Sequence, residues 1–227
     1  MLLSKSSNNF SFLISFPLNY SLLYLIKFNQ LCFLTILPLL GGIFVIILIS
    51  IIFHSKLIFN YEWTCGLTYL PSISRIINLP AERIIWNFLI LFHIPLRNYL
   101  CKIYLLSGLF DHLFLLLLSI VGERENSELH VIFFSSFLFS TFINFNIHFY
   151  LEINLNKKFR FIFLFLLFLL IPLIIFFFSI NQLYCSKYSY EIFVLIEYFI
   201  VFCIFGFNCC IFFEKHLNCF FIILKIK

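Results

Sequence analysis

Charged side chains are scarce in this chain. Asp, Glu, Lys and Arg make up 11% of its 227 residues, less than half of the roughly 25% that soluble proteins carry. Hydrophobic residues make up 63%, and the mean hydropathy is +1.08. A water-soluble domain could not cover so much apolar surface, so the sequence predicts an integral membrane protein.

The signatures of several common functions are missing. The net charge of +5 is scattered, and no run of five like charges occurs, so nucleic-acid binding has no support. The eight cysteines form no CxxC pair and no Cys/His cluster with metal spacing, so we expect no metal and no other cofactor. The local motifs G-x-S-x-G, H-x-x-x-x-D and H-E-x-x-H are absent as well.

Long apolar stretches, by contrast, are abundant. A membrane-spanning helix needs about 20 apolar residues, and six stretches come close to that length. They are Leu31–Phe53, Ile84–Tyr104, Leu105–Val121, Val131–Leu151, Phe159–Ile180 and Tyr190–Phe213. The sequence therefore predicts an all-α bundle of six transmembrane helices over residues 31–213, with tails at 1–30 and 214–227. An apolar stretch in the first tail, 10–26, is either an interfacial segment or an uncleaved signal-like region.

The distribution of Lys and Arg predicts how this bundle is oriented. With the N-terminus in the cytosol, nine basic residues lie on the cytosolic side and five on the opposite side, which agrees with the positive-inside rule. Both termini are then cytosolic. Three loops, 54–83, 122–130 and 181–189, face the lumen. Cys65 and Cys185 are the only cysteines in those loops, so we expect them to form a disulfide; two unpaired thiols are the alternative.

The predicted spans contain ionisable residues. Placing each of them in the membrane costs roughly 2.5–3.5 kcal/mol on insertion scales, so a structural or functional role is expected for them. They are His93, Arg97, Asp111, His112 and Glu197, with His130 at the lumenal start of the fourth span. One interpretation is a buried network that fixes helix packing, with Arg97 paired to Asp111 and His93 to Glu197. The other is a polar cavity for a lipid headgroup or a reacting group, because a histidine near a carboxylate is the usual general-base pair for acyl transfer.

The first lumenal loop is too long to be a simple connector. Pro71 and Pro80 punctuate it, and tyrosines and tryptophans, Trp86 among them, supply rings that settle at a membrane interface. We expect this loop to fold back over the lumenal mouth of the bundle.

The loop and the second span also carry a recognisable pattern. It reads Cys65-x4-Leu70-Pro71-Ser72-x-Ser74, then Pro80-x2-Arg83-x2-Trp86, then Ile90-x2-His93-x3-Arg97. This pattern resembles the post-GPI-attachment-to-proteins factor 2 family, within a wider six-span group that includes the DNA-damage-regulated autophagy modulators. Shorter matches around Asp111, Ser127–His130, Tyr184-Cys185 and Glu197-Tyr198 follow in the same order. Val131 stands where the family has an acidic residue after the histidine, and Asn208 where it has a histidine.

The resemblance implies a role in remodelling the lipid of GPI anchors, in the Golgi membrane or the endoplasmic reticulum. A lyso-GPI-anchored protein would regain a saturated acyl chain, and the chain would either transfer the acyl group or assist a transferase. Its partners would be GPI-anchored proteins, membrane lipids and other GPI-remodelling enzymes. The alternatives are a non-enzymatic protein of the autophagy-modulator type and, ranked last, a transporter.

The resemblance and the polar residues together give a set of candidate site residues. His93 or His130 would be the base, and Asp111 and Glu197 would be its acidic partners. Arg97 and Arg83 would bind the lipid headgroup. Pro71, Ser72 and Trp86 would shape the lumenal loop, and Cys65 and Cys185 would close it.

Overall fold

The computed structural model describes residues 20–59, 61–63, 65–100, 105–151, 157–186, 188–210 and 220–226. The side chains that it describes are those of residues 33–59, 65, 68–93, 108–150, 157–186 and 188–210.

Eight helices and four short strands make up the described part of the chain. The helices are α1 (Phe28–Phe53), α2 (Ser55–Ile58), α3 (Ile73–Ile77), α4 (Pro80–Leu100), α5 (Leu105–Ile120), α6 (Ser127–Leu151), α7 (Lys157–Tyr184) and α8 (Ser189–Cys209). The strands are β1 (Tyr20–Lys27), β2 (Tyr61–Trp63), β3 (Gly66–Thr68) and β4 (Phe220–Ile226). The predicted polytopic helical bundle is therefore confirmed.

The six long helices fall on the six predicted spans. Four described segments are long and apolar enough to cross a membrane by length and composition: Phe33–Phe53, Ser127–Tyr150, Lys157–Tyr184 and Ser189–Cys209. α5 has 16 residues, about 24 Å of helix against a hydrocarbon core of about 30 Å. α4 has 21 residues but carries Glu82 and Arg83 in its first turn. α4 and α5 pack between α1 and α6, as the second and third predicted spans would.

The helices follow one another around the bundle. Each of α4 to α8 packs against the next, α1 packs along α4, and α1 and α8 touch only lightly. The main apolar core lies where α6, α7 and α8 meet, and there Phe145 stacks on Phe207 with ring centroids 4.0 Å apart. Large apolar side chains on the outer surfaces, such as Phe44, Phe168 and Phe202, are exposed, as lipid-facing residues are.

One end of the bundle carries a folded cover, which we call the cap and define as residues 54–79. It contains α2, the β2–β3 hairpin and α3. A disulfide between Cys65 and Cys185 ties the cap to the α7–α8 turn, with the two Cα atoms 5.0 Å apart. The structure thus contains the disulfide and the folded-back loop that the sequence predicts. The α5–α6 turn lies at the same end, which we call the cap end.

At the opposite end the two tails meet. β1 pairs antiparallel with β4, from Tyr20 opposite Ile226 to Lys27 opposite Phe220. Residues 20–26, within the apolar stretch of the first tail, form part of this strand, and the first helix begins at Phe28, three residues before the predicted span. Residues 10–19, the junction near Lys102 and the 211–213 end of the sixth predicted span lie outside the described residues.

Candidate functional site

A carboxylate inside α8 holds the cap. Glu197 lies eight residues beyond Ser189, about 12 Å along the helix, and is buried. Its Oε2 accepts a hydrogen bond from the backbone N–H of Ile73 at 3.1 Å, and its Oε1 accepts from the N–H and hydroxyl of Ser74 at 3.3 and 3.2 Å. The first N–H groups of a helix have no partner within it, so Glu197 satisfies those of α3.

The residues next to this contact strengthen it. Ser72 caps α3, its side chain accepting from the N–H of Arg75 at 3.2 Å. The hydroxyl of Tyr198, one residue after Glu197, donates to the carbonyl of Pro71 at 3.1 Å. Of the residues predicted to shape the loop, Pro71 thus docks the cap on α8, whereas Ser72 caps α3 within the cap.

Buried charge accumulates beneath the cap. Arg75 is buried, and Glu123 of the α5–α6 turn lies within electrostatic reach of it. Burial raises the pKa of Glu123 above its ordinary value, and the charges of Arg75 and Arg124 offset this only in part. The hydroxyl of Tyr190 lies near Ser72 and within electrostatic reach of Glu123 and Arg75. A polar cluster therefore lies beneath the cap.

The start of α4 is fastened to the α5–α6 turn. Nη1 and Nη2 of Arg83 donate to the two carboxylate oxygens of Glu125 at 2.6 and 3.0 Å, and Nη2 also donates to the carbonyl of Ile120. This pair raises the pKa of Arg83 and lowers that of Glu125. The indole N–H of Trp86 donates to Ser119 at 3.1 Å. Arg83, predicted to bind a headgroup, is thus already engaged by a carboxylate of this chain.

A second polar cluster lies deeper in the bundle. His93 of α4 and His112 of α5 face each other with ring centroids 6.1 Å apart. The hydroxyl of Thr141 on α6 donates to Asp111. The structure therefore brings the predicted residues of the second and third spans together. The hydrogen bonds of Glu197 go to the cap rather than to His93, so that predicted pairing is wrong; the predicted pairing of Arg97 with Asp111 stays a prediction. The side chain of Arg97 lies outside the described residues.

Three histidines share one arrangement of their rings. Nδ1 of His93 lies 3.0 Å from the carbonyl of Thr35, that of His130 lies 2.7 Å from the carbonyl of Val121, and that of His112 contacts the carbonyl of Gly108. A carbonyl can only accept, so Nδ1 carries the proton and Nε2 keeps its lone pair. Nε2 of His130 is buried and has no hydrogen-bond partner in the described part of the chain.

A further polar group was missed by sequence reasoning. Glu82, in the first turn of α4, accepts from the hydroxyl of Ser50 at 2.9 Å and lies 2.8 Å from Nδ1 of His54, both on the same oxygen, Oε1. Ser50 and His54 are four residues apart, a spacing that puts them on one helical face. That spacing was a visible signal, but the sequence did not show that Glu82 would pack against it.

A metal ion has no evident place among these groups. In the described ranges, no set of three or more His, Cys, Asp or Glu side chains is arranged to hold one. The predicted catalytic roles of His93, His130, Asp111 and Glu197 concern proton transfer rather than metal binding. Those roles stay predictions.

Comparison with known proteins identifies one family. Neither a curated protein nor a solved structure matches the chain. The sequence does match the family described as the Frag1/DRAM/Sfk1/Cwh43P N-terminal domain, over residues 27–104 and again over residues 97–215. Together the two matches cover well over half of the 227 residues. They take in the cap and all six long helices, and so both polar clusters.

Proposed function

Because this chain belongs to the Frag1/DRAM/Sfk1/Cwh43P N-terminal domain family, we propose that it is a GPI-anchor lipid remodelling factor of the secretory pathway. It supports the return of a saturated fatty acid to lyso-GPI-anchored proteins and so their stable display at the cell surface. The family match is to the wider group predicted from the sequence; membership of the narrower post-GPI-attachment factor 2 family is part of the proposal. So are the Golgi or endoplasmic reticulum membrane and two cytosolic termini.

One observation carries the proposal: the residues that bear the narrower resemblance converge at the cap end. Cys65 bonds Cys185, Ser74 bonds Glu197 and Pro71 bonds Tyr198. These residues lie more than 100 positions apart in the chain. A motif set that assembles into one unit is better support for the narrower family than the same motifs counted singly.

The charge at this end suits a lipid with a polar headgroup. Arg75, Arg83 and Glu123 lie in or beside the cap end, where headgroup phosphates and sugars lie in a bilayer. Arginine matches phosphate in geometry as well as charge. Arg83 would have to exchange Glu125 for the phosphate, so its headgroup role requires that surface ion pair to open. Exposed pairs of this kind are weak.

The proposal is tested by rescue. The chain is expressed in cells that lack their own factor, and a GPI-anchored reporter is followed at the surface while its anchor lipids are analysed by mass spectrometry. We expect restored surface retention and a saturated acyl chain on the anchor. A well-expressed, correctly located chain that leaves the anchor in its lyso form would contradict the proposal.

A second candidate is a non-enzymatic protein of the autophagy-modulator type. It is favoured by one observation: Glu197 and Asp111, the predicted acidic partners, are both engaged in hydrogen bonds that hold elements of the bundle together. If the chain is such a non-enzymatic protein, substitution of His93 would lower activity and protein level equally. Under the remodelling proposal with His93 as a reacting group, activity would fall while protein level stays normal.

A further inference from the structure

We propose that His54, held by Glu82, is the general base of an acyl-transfer site at the cap-end surface of the membrane. This inference rests on the proposed function, because it assigns the proton transfer that reacylation requires. His54 lies at the junction of α1 and α2, and Glu82 lies in the first turn of α4.

The geometry of the pair fixes which nitrogen can act. Nδ1 of His54 lies 2.8 Å from Oε1 of Glu82. An ionised carboxylate only accepts hydrogen bonds, so Nδ1 carries the proton and Nε2 presents its lone pair. A buried carboxylate in this position orients the imidazole and stabilises the imidazolium that forms when Nε2 takes a proton. Ser50 donates to the same oxygen at 2.9 Å and so orients the carboxylate.

Access separates His54 from the other candidate bases. The side chain of His54 is 29% exposed, whereas that of Glu82 is 0% exposed. His93, His112 and His130 are all buried. A base must come within hydrogen-bonding distance of the proton that it removes. Among His54, His93, His112 and His130, only His54 has a partly exposed imidazole, and its carboxylate partner is buried.

The surroundings indicate a lipid substrate. Phe53 and Leu57 flank His54 in the chain, Ile84 follows Glu82 by two residues, and all three side chains are largely exposed. An exposed apolar rim at a helix end lies in the bilayer at the level where acyl chains meet headgroups. The ester or hydroxyl of a membrane lipid occupies that level, so a lipid substrate for His54 would not have to leave the bilayer.

The reaction balances without a redox partner. The hydroxyl of a lysolipid attacks the carbonyl carbon of an acyl ester or thioester while its proton passes to Nε2 of His54. A new ester C–O bond forms, the bond to the donor's alcohol or thiol breaks, and that leaving group takes the proton back from Nε2. His54 is neutral again at the end. Glu82 and Ser50 touch no substrate; they are positioning residues.

The test compares matched variants in the rescue assay at equal protein level. We expect His54→Gln and Glu82→Gln to lower the rate of anchor reacylation about 100-fold or more. Glu82→Gln keeps the shape of the side chain, but its amide can donate to Nδ1 and so favour the wrong tautomer. Ser55→Ala, which alters the exposed neighbour of His54, serves as the control and should match the unmodified chain.

Two further measurements distinguish a catalytic role of His54 as a base from a purely structural ion pair with Glu82. His54→Lys keeps an ion pair with Glu82 but not the base, so it should retain protein level and lose reacylation. Added imidazole should restore part of the rate in His54→Ala. Equal reacylation by His54→Gln, or by His54→Lys, would overturn the assignment of His54 even though the remodelling role stands.

Failure of the proposed function is distinguishable from failure of this inference. If the unmodified chain does not rescue, the remodelling role is contradicted. The His54–Glu82 pair is then tested by the chemical reactivity of the His54 imidazole. Diethyl pyrocarbonate, applied to the full-length protein in vesicles and followed by mass spectrometry, should modify His54 faster than His93 or His130, and more slowly in Glu82→Gln. Modification of His54 no faster than of the buried histidines would show that Nε2 is not an accessible base.

Discussion

Single buried side chains decide how the cap is held on the bundle. Both oxygens of Glu197 are used, each by the N-terminus of α3. A buried N–H that loses its acceptor costs about 1–3 kcal/mol, so one carboxylate can determine whether α3 stays docked. The sequence suggested Glu197 as a partner of His93 because both lie in spans. In the structure Glu197 accepts from the N-terminus of α3, and Nδ1 of His93 lies against the carbonyl of Thr35.

Replacing Glu197 should therefore loosen the cap before it unfolds the bundle. We expect Glu197→Ala to destabilise the protein by about 2–4 kcal/mol, because two backbone N–H groups lose their acceptor. Limited proteolysis within residues 54–79 should become faster, while α6–α7 stays protected. Glu197→Gln, which keeps one carbonyl oxygen, should have a smaller effect. Unchanged proteolysis in Glu197→Ala would show that the cap is held by other contacts.

Glu123 makes stability depend on pH in a direction opposite to most carboxylates. Its pKa is raised by burial, so its neutral form is favoured in the folded state. The contribution of such a group is complete below its ordinary pKa and is lost as pH rises through the raised value. Glu123→Gln should thus stabilise the protein at about pH 7–8 and have little effect at about pH 4. Thermal unfolding in detergent at both pH values measures this; an equal effect at both would contradict it.

Helix pairs depend on small residues at their contacts. A Cβ added at Gly206 of α8 would lie 2.4 Å from Cζ of Phe163 on α7, whereas one added at Gly41 of α1 would meet nothing within 4 Å. Glycine at such a contact lets two helices approach closely. Gly206 thus leaves room on α8 for the ring of Phe163 on α7.

Matched glycine substitutions test this contact. Gly206→Ala should destabilise the bundle by about 1–3 kcal/mol, because the phenyl ring of Phe163 must move. Gly41→Ala should be neutral or stabilising by up to about 1 kcal/mol, since alanine favours helix and has space there. Midpoints of thermal unfolding in detergent compare the two variants. Equal shifts would show that α8 accommodates the extra methyl group.

At the scale of the whole molecule, one covalent bond links distant parts of the chain. The Cys65–Cys185 disulfide spans 120 positions and joins the cap to the α7–α8 turn. Closing a loop of that length removes much of the conformational freedom of the unfolded chain. It also keeps α3 near Glu197 when the hydrogen bonds between them open.

Loss of the disulfide should lower stability and change gel mobility. Cys65→Ser, Cys185→Ser and the double variant should each cost about 2–5 kcal/mol, with the double no worse than either single. The unmodified protein should migrate differently with and without reductant, and the variants should not. An additive loss in the double variant would mean that each cysteine has a separate role.

The sequence alone determined the membrane class, the positions of the six long helices and the Cys65–Cys185 pairing. These are local properties: hydropathy is read along the chain, and the pairing follows once the predicted topology leaves only two cysteines on one side. It also placed His93 and Asp111 in neighbouring helices near one polar region, because charge inside a span must face inward.

The partners of the buried polar groups depend on how the whole chain packs. Whether Glu197 meets His93 or α3, and whether Glu82 meets His54, depends on how helices far apart in sequence are rotated and how the cap folds between them. The β1–β4 pairing of the tails is of the same kind. Hydropathy along one helix does not fix its rotation against a partner, so these contacts are set by packing over the whole bundle.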